Sequence, residues 1–373
     1  MKSTQYKIIH TTCHTDWGGL EKRVLNESLW MADKGHRVII IAPENTPLFQ
    51  RAKGDGLKLY PMAFKRLSAF SDYRRLIRIF NQEKPHIVNT HGNTDSKIAL
   101  PAAKKTHVPC RILSRHISTP VNNCWYNRLL YKKLSHYTFT TADYTRHHLQ
   151  DVFNLSYQQV VSIPSGIVEP DSLNPKDEDR RDLAAKLNLD PCTRFIGFAG
   201  RISQDKGVDT LLRGFHKAAG HIIPHHLVIA GTGDASFLDR MSALARDLNI
   251  ENRVHFIGFQ ENLWPFYRSL DCKILPSVFE GIPQVLIEAM YALCPVIGSR
   301  TGGIADLITH DETGLLFDVG QSDELCEMIL KTIDTPRATM ARAQNAAQKI
   351  KRYHTIETMG QKIMRIYQYH FNV

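Results

Sequence analysis

The sequence of 373 residues contains no apolar run long enough to cross a membrane as a helix. Such a helix needs about 20 consecutive apolar residues, whereas the longest runs here, such as residues 38–42, have the length of a strand. The first 17 residues also lack the apolar core and the small-residue cleavage site of a secretory signal. We therefore expect a cytoplasmic protein that does not span the membrane.

Cysteine is present only as seven scattered residues, an odd number, and no two of them form a C-x-x-C pair. This spacing argues against a disulfide framework and against the usual zinc motifs, so we expect reduced thiols. Cys110, Cys272 and Cys294 each begin an apolar segment, where a thiol behaves as a small buried hydrophobic group. We predict no catalytic cysteine.

Motifs for bound cofactors and metals are also scarce. Neither candidate first strand is followed by G-x-G-x-x-G, which argues against a dinucleotide oxidoreductase. Residues 177–179 spell D-x-D, but they lie in an acidic stretch before two arginines, and we interpret them as a solvated helix start. Two groups of histidines are poor ligand sets, because consecutive residues do not share a helix face and Pro224 interrupts the second group: His147 with His148, and His221 with His225 and His226. We predict no required metal and no cofactor.

Positive charge is concentrated in the first half of the chain. The formal net charge is +10, and residues 1–168 hold 24 Lys and Arg against 11 Asp and Glu, an excess of 13. The rest of the chain is therefore close to neutral. This asymmetry favours an anionic partner for the first half, such as phospholipid headgroups, a phosphorylated glycan or nucleic acid, and the alternative is that it serves solubility.

Short β-rich runs alternate with amphipathic segments of helix length throughout the chain. This alternation is typical of parallel sheets with crossover helices. We predict an α/β fold with two facing Rossmann-like domains, residues 1–168 and 169–352, and a terminal helix over 353–373 that returns to the first domain. The predicted strands are residues 6–10, 36–42, 86–89, 111–113 and 160–163, then 194–199, 226–230, 253–257, 272–275 and 295–298. The predicted helices of the first half are centred on residues 20–34, 71–83, 94–106 and 122–134.

Residues 163–179 are dense in proline, glycine and acidic residues, and this composition predicts a linker between the domains. Open α/β sheets bind ligands outside the carboxyl ends of their strands. Two such domains joined by a hinge therefore predict a cleft with half of the site on each wall.

The most informative segment is residues 279–290, which follows an apolar strand. A glycine turn comes first, and Pro283 suits the first turn of a helix. The start of a helix after a parallel strand favours an anion such as phosphate, because its amide groups are unpaired and its dipole is positive there. Glu280 precedes the helix and Glu288 lies about two turns along it. These carboxylates can accept hydrogen bonds from the hydroxyl pairs of a nucleotide sugar.

Residues 200–207 also follow a predicted strand and carry Arg201 and Lys206. Arginine supplies a planar fork of donors and lysine a mobile charge, which suits a diphosphate. Such a pair would neutralise a diphosphate leaving group. On its own this pattern is more often a solvated turn, and its place next to the glutamate segment is what favours a site.

Together these residues resemble the retaining glycosyltransferases of the GT-B fold, specifically family 4. The resemblance covers nearly the whole chain, although Ser165 stands where the family usually has Asn and Asp306 where it usually has Glu. It rests on the Glu280 to Glu288 spacing, the Arg201 and Lys206 pair, and residues 17–21, 163–166, 231–234 and 301–303.

The resemblance implies a role for each matched residue of the second half. It implies that Arg201 and Lys206 bind the donor diphosphate, that Glu288 binds the ribose hydroxyls, and that Glu280 contacts the transferred sugar. The backbone of Gly281, Ile282 and Pro283 is implied to touch donor phosphate or sugar. The implied donor is then a nucleotide sugar, with UDP the leading candidate for the nucleotide and GDP the second.

The resemblance also implies site residues in the first half. Gly18 and Gly19 are expected to approach the donor from the other domain, and a backbone without Cβ atoms suits a close approach. His116 ends a strand and matches the histidine near the reacting sugar, so we assign it a catalytic role. His91 ends the preceding strand and is assigned to the acceptor side. For either histidine the alternative is a structural hydrogen bond.

The basic residues within 65–80 alternate with aromatic and aliphatic ones at helical spacing, a composition typical of a helix at a membrane interface. The alternative is a surface helix whose Leu76, Ile79 and Phe80 enter the core. A lipid-linked or lipopolysaccharide acceptor would account for the charge, with peripheral contact to an anionic membrane.

Two other functions compete with glycosyl transfer. A nucleotide-sugar epimerase or a glycan phosphorylase shares two facing α/β domains, but the glutamate spacing argues against both. A nucleic-acid-binding protein would fit the isoelectric point of about 9.2, yet the cations do not form a recognisable DNA or RNA module. We therefore predict no nucleic-acid partner.

Overall fold

The computed structural model describes residues 5–372 and divides the chain into two compact units. The first unit runs up to Val168 and resumes at Ile356, and the second comprises Glu169–Thr355. Each unit contains one parallel sheet, as the alternating pattern predicts. Within residues 5–372, no helix has the length and apolar character needed to cross a bilayer.

The first unit has a seven-stranded parallel sheet in the order β3-β2-β1-β4-β5-β6-β7. Residues on both faces of β1 and β2 are buried, because helices cover both sides of the sheet. Its strands are β1 Lys7–Thr11, β2 Arg37–Ala42, β3 Lys58–Pro61, β4 Ile87–Thr90, β5 Cys110–Arg115, β6 Tyr137–Thr140 and β7 Val160–Ser162. Its helices are α1 Gly19–Asp33, α2 Pro47–Gly54, α3 Ala69–Glu83, α4 Asn93–Lys105, α5 Trp125–Leu129 followed by a π-helical turn over Leu130–Leu134, and α6 Asp143–Phe153.

The second unit has a six-stranded parallel sheet in the order β10-β9-β8-β11-β12-β13. Its strands are β8 Arg194–Ala199, β9 His225–Ala230, β10 Val254–Gly258, β11 Cys272–Leu275, β12 Val296–Ser299 and β13 Leu315–Phe317. Its helices are α7 Lys176–Lys186, α8 Val208–Ala219, α9 Ala235–Asp247, α10 Trp264–Ser269, α11 Gln284–Tyr291, α12 Gly302–Leu307, α13 Ser322–Asp334 and α14 Pro336–Tyr353. Short 3-10 turns cover Arg66–Ser68, Gln204–Lys206 and Glu251–Arg253.

The last helix, α15 (Ile356–Asn372), packs against the sheet of the first unit. Met359, Ile363 and Tyr367 are buried there, which accounts for the helical spacing of the apolar residues in this segment. Trp30 of α1 donates a hydrogen bond of 2.7 Å from Nε1 to Glu357. The helix begins three residues later than the predicted segment, because α14 continues to Tyr353.

The acidic linker is more ordered than its composition indicates. The backbone carbonyl of Ile163 and the hydroxyl of Ser165 both accept hydrogen bonds from the buried Arg23, at 2.7 and 3.1 Å. Residues 177–179 do form a helix start, but the prediction that they are solvated is wrong for Asp179. Its side chain is buried and accepts a hydrogen bond of 3.1 Å from Asn174.

The basic segment 65–80 folds largely as the surface helix that was its alternative interpretation. Leu76, Ile79 and Phe80 are buried in the core of the first unit, so the apolar face of α3 is occupied by protein. The prediction of an interfacial helix is therefore wrong for this face. Leu67 and Phe70, at the start of the segment, are exposed among the basic residues.

Candidate functional site

In each unit the strand order reverses at one place, and most of the predicted site residues lie in the loops there. His116, which follows β5, and Glu288, which lies on helix α11, are the exceptions. The reversal falls between β1 and β4 in the first sheet and between β8 and β11 in the second. Loops at the carboxyl ends of two strands diverge at such a point and leave room for a ligand. Each unit thus offers one set of candidate residues.

In the second unit, the loops after β8 and β11 are joined by an ion pair. Lys206 Nζ lies 2.6 Å from Glu280 Oε1, and both side chains are mostly buried, with 16% and 14% exposed. Ser277 Oγ donates to the same carboxylate oxygen at 3.0 Å. The structure therefore brings together two residues that are 74 positions apart in the sequence.

Asp205 lies near both predicted cations. Its Oδ2 is 3.7 Å from Arg201 Nη2 and 3.8 Å from Lys206 Nζ. Although burial raises the pKa of Asp205, the hydrogen bond from Ser203 and the charges of Lys206 and Arg201 outweigh it and lower the pKa. Arg201 remains 64% exposed, so its guanidinium is accessible to an anion from solvent.

Gly207, after the Lys206 turn, allows the two loops to pack backbone to backbone. Its φ is +64°, and a Cβ there would lie 2.2 Å from the carbonyl oxygen of Pro276. A second close contact involves the 301–303 motif, because a Cβ on Gly303 would lie 2.0 Å from the carbonyl oxygen of Gly281. The amide of Gly303 also donates to the carbonyl of Glu280 at 3.1 Å. These contacts fix the turn that carries Glu280.

Helix α11 begins one residue later than expected. Pro283 is its N-cap, with extended backbone, and precedes the helix rather than forming its first turn. Gly281, Ile282 and Pro283 are buried in the turn before the helix. Glu288 lies on α11, and its Oε2 accepts a hydrogen bond of 2.9 Å from the hydroxyl of the buried Tyr267. Tyr267 therefore orients the carboxylate that is predicted to bind ribose.

In the first unit, Gly18 and Gly19 lie where the loop after β1 meets helix α1. Gly18 is the N-cap residue, and its amide donates to Glu21 Oε2 at 2.8 Å. Its φ of −145° is extended backbone that other residues also adopt. The glycine is therefore not required by the backbone conformation at this position, and its predicted approach to the donor stays a prediction.

The candidate histidines are in direct contact with each other. His91 Nδ1 lies 2.9 Å from His116 Nε2, and the two rings stack with centroids 5.2 Å apart. A third histidine, His10 of β1, continues the chain, since its Nδ1 lies 2.8 Å from His91 Nε2. Burial lowers the pKa of all three, that of His10 to about 3, with the charge of Arg23 adding to the effect. All three imidazoles are therefore neutral at pH 7.

Asp95, at the start of α4, fixes the backbone of His91, the middle histidine of the three. Its Oδ2 accepts hydrogen bonds from Thr11 Oγ1 at 2.7 Å and from the amide of His91 at 3.2 Å. The amide of His91 also donates to the carbonyl of Thr11 at 3.0 Å. The backbone around His91 is thus fixed to β1, which explains how the histidines of neighbouring strands reach one another.

One group of described side chains has the composition of a metal site, away from the switch points. Candidate ligand atoms of Cys110, His136 and His370 lie within 4.8 Å of one another. However, the guanidinium of Arg111 donates to His136 Nε2 at 2.9 Å, and burial raises the pKa of Cys110 to about 12. A bound cation would have to displace that arginine contact and deprotonate the buried thiol, so we assign no metal to it.

Several residues that contact the predicted site are not identified by sequence reasoning, among them His10, Asp205 and Tyr267. His10 is the last residue of the predicted strand 6–10, so the sequence contained a signal for it, although in the structure it lies within β1 and pairs with Asn89. Asp205 lies within the 200–207 segment, but its contact with both cations depends on the shape of the turn. Nothing in the local sequence marks Tyr267, because its partner Glu288 is 21 residues away.

Two family models match the chain and together cover most of it. Residues 17–169 match the model described as Glycosyltransferase Family 4, and residues 179–350 match the model described as Glycosyl transferases group 1. The boundary between the matched regions coincides with the start of the second unit.

Among curated relatives, an uncharacterised glycosyltransferase of Methanocaldococcus jannaschii is 30% identical over 47% of this chain and 45% of its own length. A lipopolysaccharide core biosynthesis mannosyltransferase of Rhizobium meliloti is 27% identical over 51% of this chain and 56% of its own. The chain thus spans about half the length of these relatives. A UDP-Gal:alpha-D-GlcNAc-diphosphoundecaprenol alpha-1,3-galactosyltransferase of Escherichia coli is 24% identical over 98% of both chains.

Two solved structures share the fold over nearly the whole chain. A glycosyltransferase of Rickettsia africae has a TM-score of 0.87 at 18% identity, covering 98% of this chain and 99% of its own. HepE of Anabaena, in complex with UDP and glucose, has a TM-score of 0.83 at 16% identity, covering 98% and 100%. At these identities the similarity shows a common fold.

Proposed function

We propose that the chain, which has the GT-B fold and resembles the glycosyltransferases of family 4, moves a hexose-type sugar from a nucleotide diphosphate to a glycan acceptor. The observation that carries this proposal is the ion pair of Lys206 and Glu280 at the switch point of the second unit. The ammonium group of Lys206 lies there beside a carboxylate that can accept hydrogen bonds from sugar hydroxyls. Asp205 lies between Lys206 and Arg201 and contacts both. This combination suits a diphosphate attached to a sugar.

The second unit is proposed to bind the donor. Arg201 and Lys206 would contact the diphosphate, and Glu288, oriented by Tyr267, would accept from the ribose hydroxyls. Glu280, with the backbone of residues 281–283, would contact the transferred sugar. UDP is the leading candidate for the nucleotide of the donor, and GDP is the second. The names of the Escherichia coli relative and of the Anabaena complex both contain UDP.

The proposed reaction retains the anomeric configuration. The bond between sugar and phosphate loosens to an oxocarbenium-like state, and negative charge develops on the departing diphosphate. Arg201 and Lys206 stabilise that charge, which makes a metal unnecessary in this scheme. The acceptor hydroxyl enters on the same face, and its proton passes to the departing phosphate oxygen. His116 would position or stabilise the sugar, and the catalytic set is thus His116, Arg201, Lys206 and Glu280.

The first unit is proposed to bind the acceptor, with His91 on that side. A lipopolysaccharide or lipid-linked glycan is the class that fits the excess of 13 positive charges in residues 1–168. Two relatives act, by their names, in lipopolysaccharide core synthesis and on a diphosphoundecaprenol-linked sugar. The diphosphate in the second of these names is an anionic group.

A peripheral contact with anionic membrane would bring the enzyme to such an acceptor. Leu67 and Phe70 are 102% and 68% exposed, and Arg74 lies over the Phe70 ring at 4.5 Å. The surrounding cations are also exposed: Lys65, Arg66, Arg74, Arg75 and Arg78. Apolar side chains within a basic patch combine the two attractions that hold a protein at an anionic interface.

Replacing both Leu67 and Phe70 by serine should weaken binding to vesicles containing phosphatidylglycerol by at least about tenfold, because burial of each side chain contributes roughly 1.5–3 kcal/mol. Co-sedimentation would measure the partition coefficient. The charge of the patch is unchanged, so residual binding should remain salt-sensitive. Met340→Ser is the matched control, since Met340 is an exposed apolar residue on a basic helix of the second unit. Equal binding of the double variant and this control would contradict a membrane role for the patch.

A donor panel tests the proposed function directly. UDP, GDP, ADP and the corresponding nucleotide sugars would be screened by thermal shift. The ligands of one nucleotide should stabilise the folded protein by about 2.7 kcal/mol at a hundred times their Kd. Glu288→Ala should abolish most of that stabilisation, because the ribose hydroxyls lose their acceptor. The control is Glu327→Ala, an exposed glutamate of helix α13.

Product analysis separates the alternatives. Transfer to an acceptor supports the proposal, whereas isomerisation of the free nucleotide sugar identifies an epimerase and phosphate-dependent cleavage a phosphorylase. Tight, salt-sensitive binding to arbitrary DNA without any nucleotide-sugar binding would instead identify a nucleic-acid-binding protein. A thermal shift that survives Glu288→Ala would overturn the donor assignment.

A further inference from the structure

His10, His91 and His116 form a continuous chain of hydrogen bonds across three neighbouring strands. The two links measure 2.8 and 2.9 Å, and adjacent ring centroids are 5.1 and 5.2 Å apart. His10 is fully buried and His91 is 3% exposed, while His116 at the end of the chain is partly exposed. The reaction described above uses only His116 and His91, so the role of His10 is unexplained.

The protonation state of the chain restricts its hydrogen bonds. Each ring is neutral, because burial and the nearby positive charge of Arg23 disfavour an imidazolium. His14 and Arg115 add to the same effect at His116. A neutral imidazole has one N–H and one acceptor nitrogen. Each of the two hydrogen bonds between rings needs an N–H on one nitrogen and a lone pair on the other. The three ring protons can meet this requirement in only two ways, in which the hydrogen bonds run in opposite directions along the chain.

The two arrangements differ at the ends of the chain. If all three rings carry the proton on Nδ1, His10 donates to His91, His91 donates to His116, and His116 Nδ1 is left as a donor. If all three carry it on Nε2, the direction reverses and His116 Nδ1 becomes an acceptor. In both cases His10 Nε2 is the other end of the chain.

The buried end at His10 decides between them. Its Nε2 and the Nδ1 of His116 are both buried and have no hydrogen-bond partner among residues 5–372. Each arrangement leaves one N–H without a partner in the protein, on His116 Nδ1 or on His10 Nε2, and a buried unpaired N–H is costly. His10 is fully buried, whereas His116 is partly exposed, so only at the His116 end can a ligand supply the missing acceptor. The Nδ1-protonated arrangement is therefore the one that a bound ligand can complete.

We propose that His10 and His91 are positioning residues that hold His116 in its Nδ1-protonated form, so that this N–H donates to an oxygen of the substrate. This rests on the proposed function only in making His116 a substrate contact. A sugar hydroxyl or ring oxygen would satisfy the donor that the protein itself leaves unpaired. Because the chain ends at a buried nitrogen with no exit for a proton, it sets a tautomer and does not carry protons away.

The state of the chain can be measured without any activity. In protein labelled with ¹⁵N-histidine, NMR distinguishes protonated from unprotonated ring nitrogens, and the signals of the three residues can be assigned by single substitutions. We expect a proton on Nδ1 of His116 in the wild-type protein. A proton on Nε2 of His116 would overturn the proposal whether or not the protein proves to be a glycosyltransferase.

Substitutions at His10 then test the coupling. His10→Phe retains a ring but removes the donor, so His116 should populate both tautomers, and kcat should fall about tenfold with little change in the KM for the donor. His10→Asn places an amide nitrogen where Nδ1 was, which preserves donation to His91 and should restore most of kcat and the tautomer. Rescue by asparagine but not phenylalanine is not expected from a purely structural role.

A second histidine pair provides a matched control. His226 Nδ1 and His255 Nε2 lie 2.8 Å apart, and their rings stack with an interplanar angle of 13°. They belong to the second unit and are not part of the chain, so His255→Phe should leave kcat and the His116 signals unchanged. A His10→Phe protein that is folded and keeps both wild-type values would show that His10 has no positioning role. If the wild type transfers no sugar, the proposed function fails while the NMR result still stands.

Discussion

Replacing Lys206 by alanine is expected to lower kcat for sugar transfer by about 100- to 1,000-fold, the usual cost of losing one preorganised group that stabilises charge developing in a transition state. Lys206 is 16% exposed, and its Nζ lies 2.6 Å from Glu280. The variant loses the positive group closest to this carboxylate as well as a contact to the departing diphosphate. Steady-state kinetics with the donor identified by thermal shift would measure the effect.

Lys217→Ala is the matched control for this prediction. Lys217 also forms a 2.6 Å ion pair in the second unit, with Asp323, but both side chains are more exposed, at 38% and 80%. An exposed pair of this kind contributes about 0–1 kcal/mol, so its loss should leave kcat unchanged. Thermal unfolding of both variants separates a catalytic effect from partial unfolding. A Lys206→Ala protein with wild-type kcat would remove the lysine from the proposed mechanism.

Replacing Asp271 by asparagine is expected to lower the free energy of unfolding by roughly 2–4 kcal/mol, because it leaves partly buried cations without their counter-ion. Arg180 Nη2 and Arg194 Nε each lie 2.9 Å from the Asp271 carboxylate. Lys176 and His225 lie within 3.6 and 3.5 Å of it. The carboxylate thus joins α7 to the first residues of β8 and β9, at the edge of the sheet opposite the candidate site.

The pH dependence of this contribution follows from the pKa of Asp271. Burial raises that pKa, but the contact with His225 and the charges of Lys176, Arg180 and Arg194 outweigh burial and lower the pKa to about 2. An aspartate in an unfolded chain has a pKa of about 3.9. The stabilisation is therefore fully present above pH of about 4 and is lost as the pH falls towards 2.

Chemical denaturation at pH 7 and at pH 3 would test both the loss of stability in Asp271→Asn and its dependence on pH. The difference between wild type and Asp271→Asn should be largest at pH 7 and should shrink in acid. Asp323→Asn is the control, since this aspartate belongs to an exposed ion pair and should change stability by less than about 1 kcal/mol. The kcat of folded Asp271→Asn should stay near that of the wild type. A difference that grows in acid would contradict the assignment of the lowered pKa.

Secondary structure was predictable where an element is long or strongly apolar. Strands β8 and β11 begin and end at the predicted residues, because residues 195–199 are a continuous apolar run and Cys272–Leu275 is apolar except for Lys273. Strands β3, β6 and β13 were not predicted. Their three or four residues show no pattern that marks a strand, and they become strands by pairing with neighbouring strands.

The residues of the candidate site also fall into a group that could be predicted and a group that could not. The residue types and spacing of Arg201, Lys206, Glu280 and Glu288 could be recognised because each follows a strand in a short segment with turn-forming glycine or proline. Their partners could not. Asp205 and Tyr267 act on these residues through a turn and a packed helix, and the contact of Tyr267 with Glu288 joins two helices.

The sequence alone therefore determined the α/β class, the two successive sheets and the identity of the residues at the strand ends, since these depend on local composition and periodicity. The tertiary structure decided which strand ends are neighbours, and with that the Lys206–Glu280 pair and the chain from His10 through His91 to His116. It also decided that the apolar face of α3 enters the core while Leu67 and Phe70 stay outside. The physical reason is that strand order and packing are set by contacts between residues distant in the chain, which no local pattern encodes.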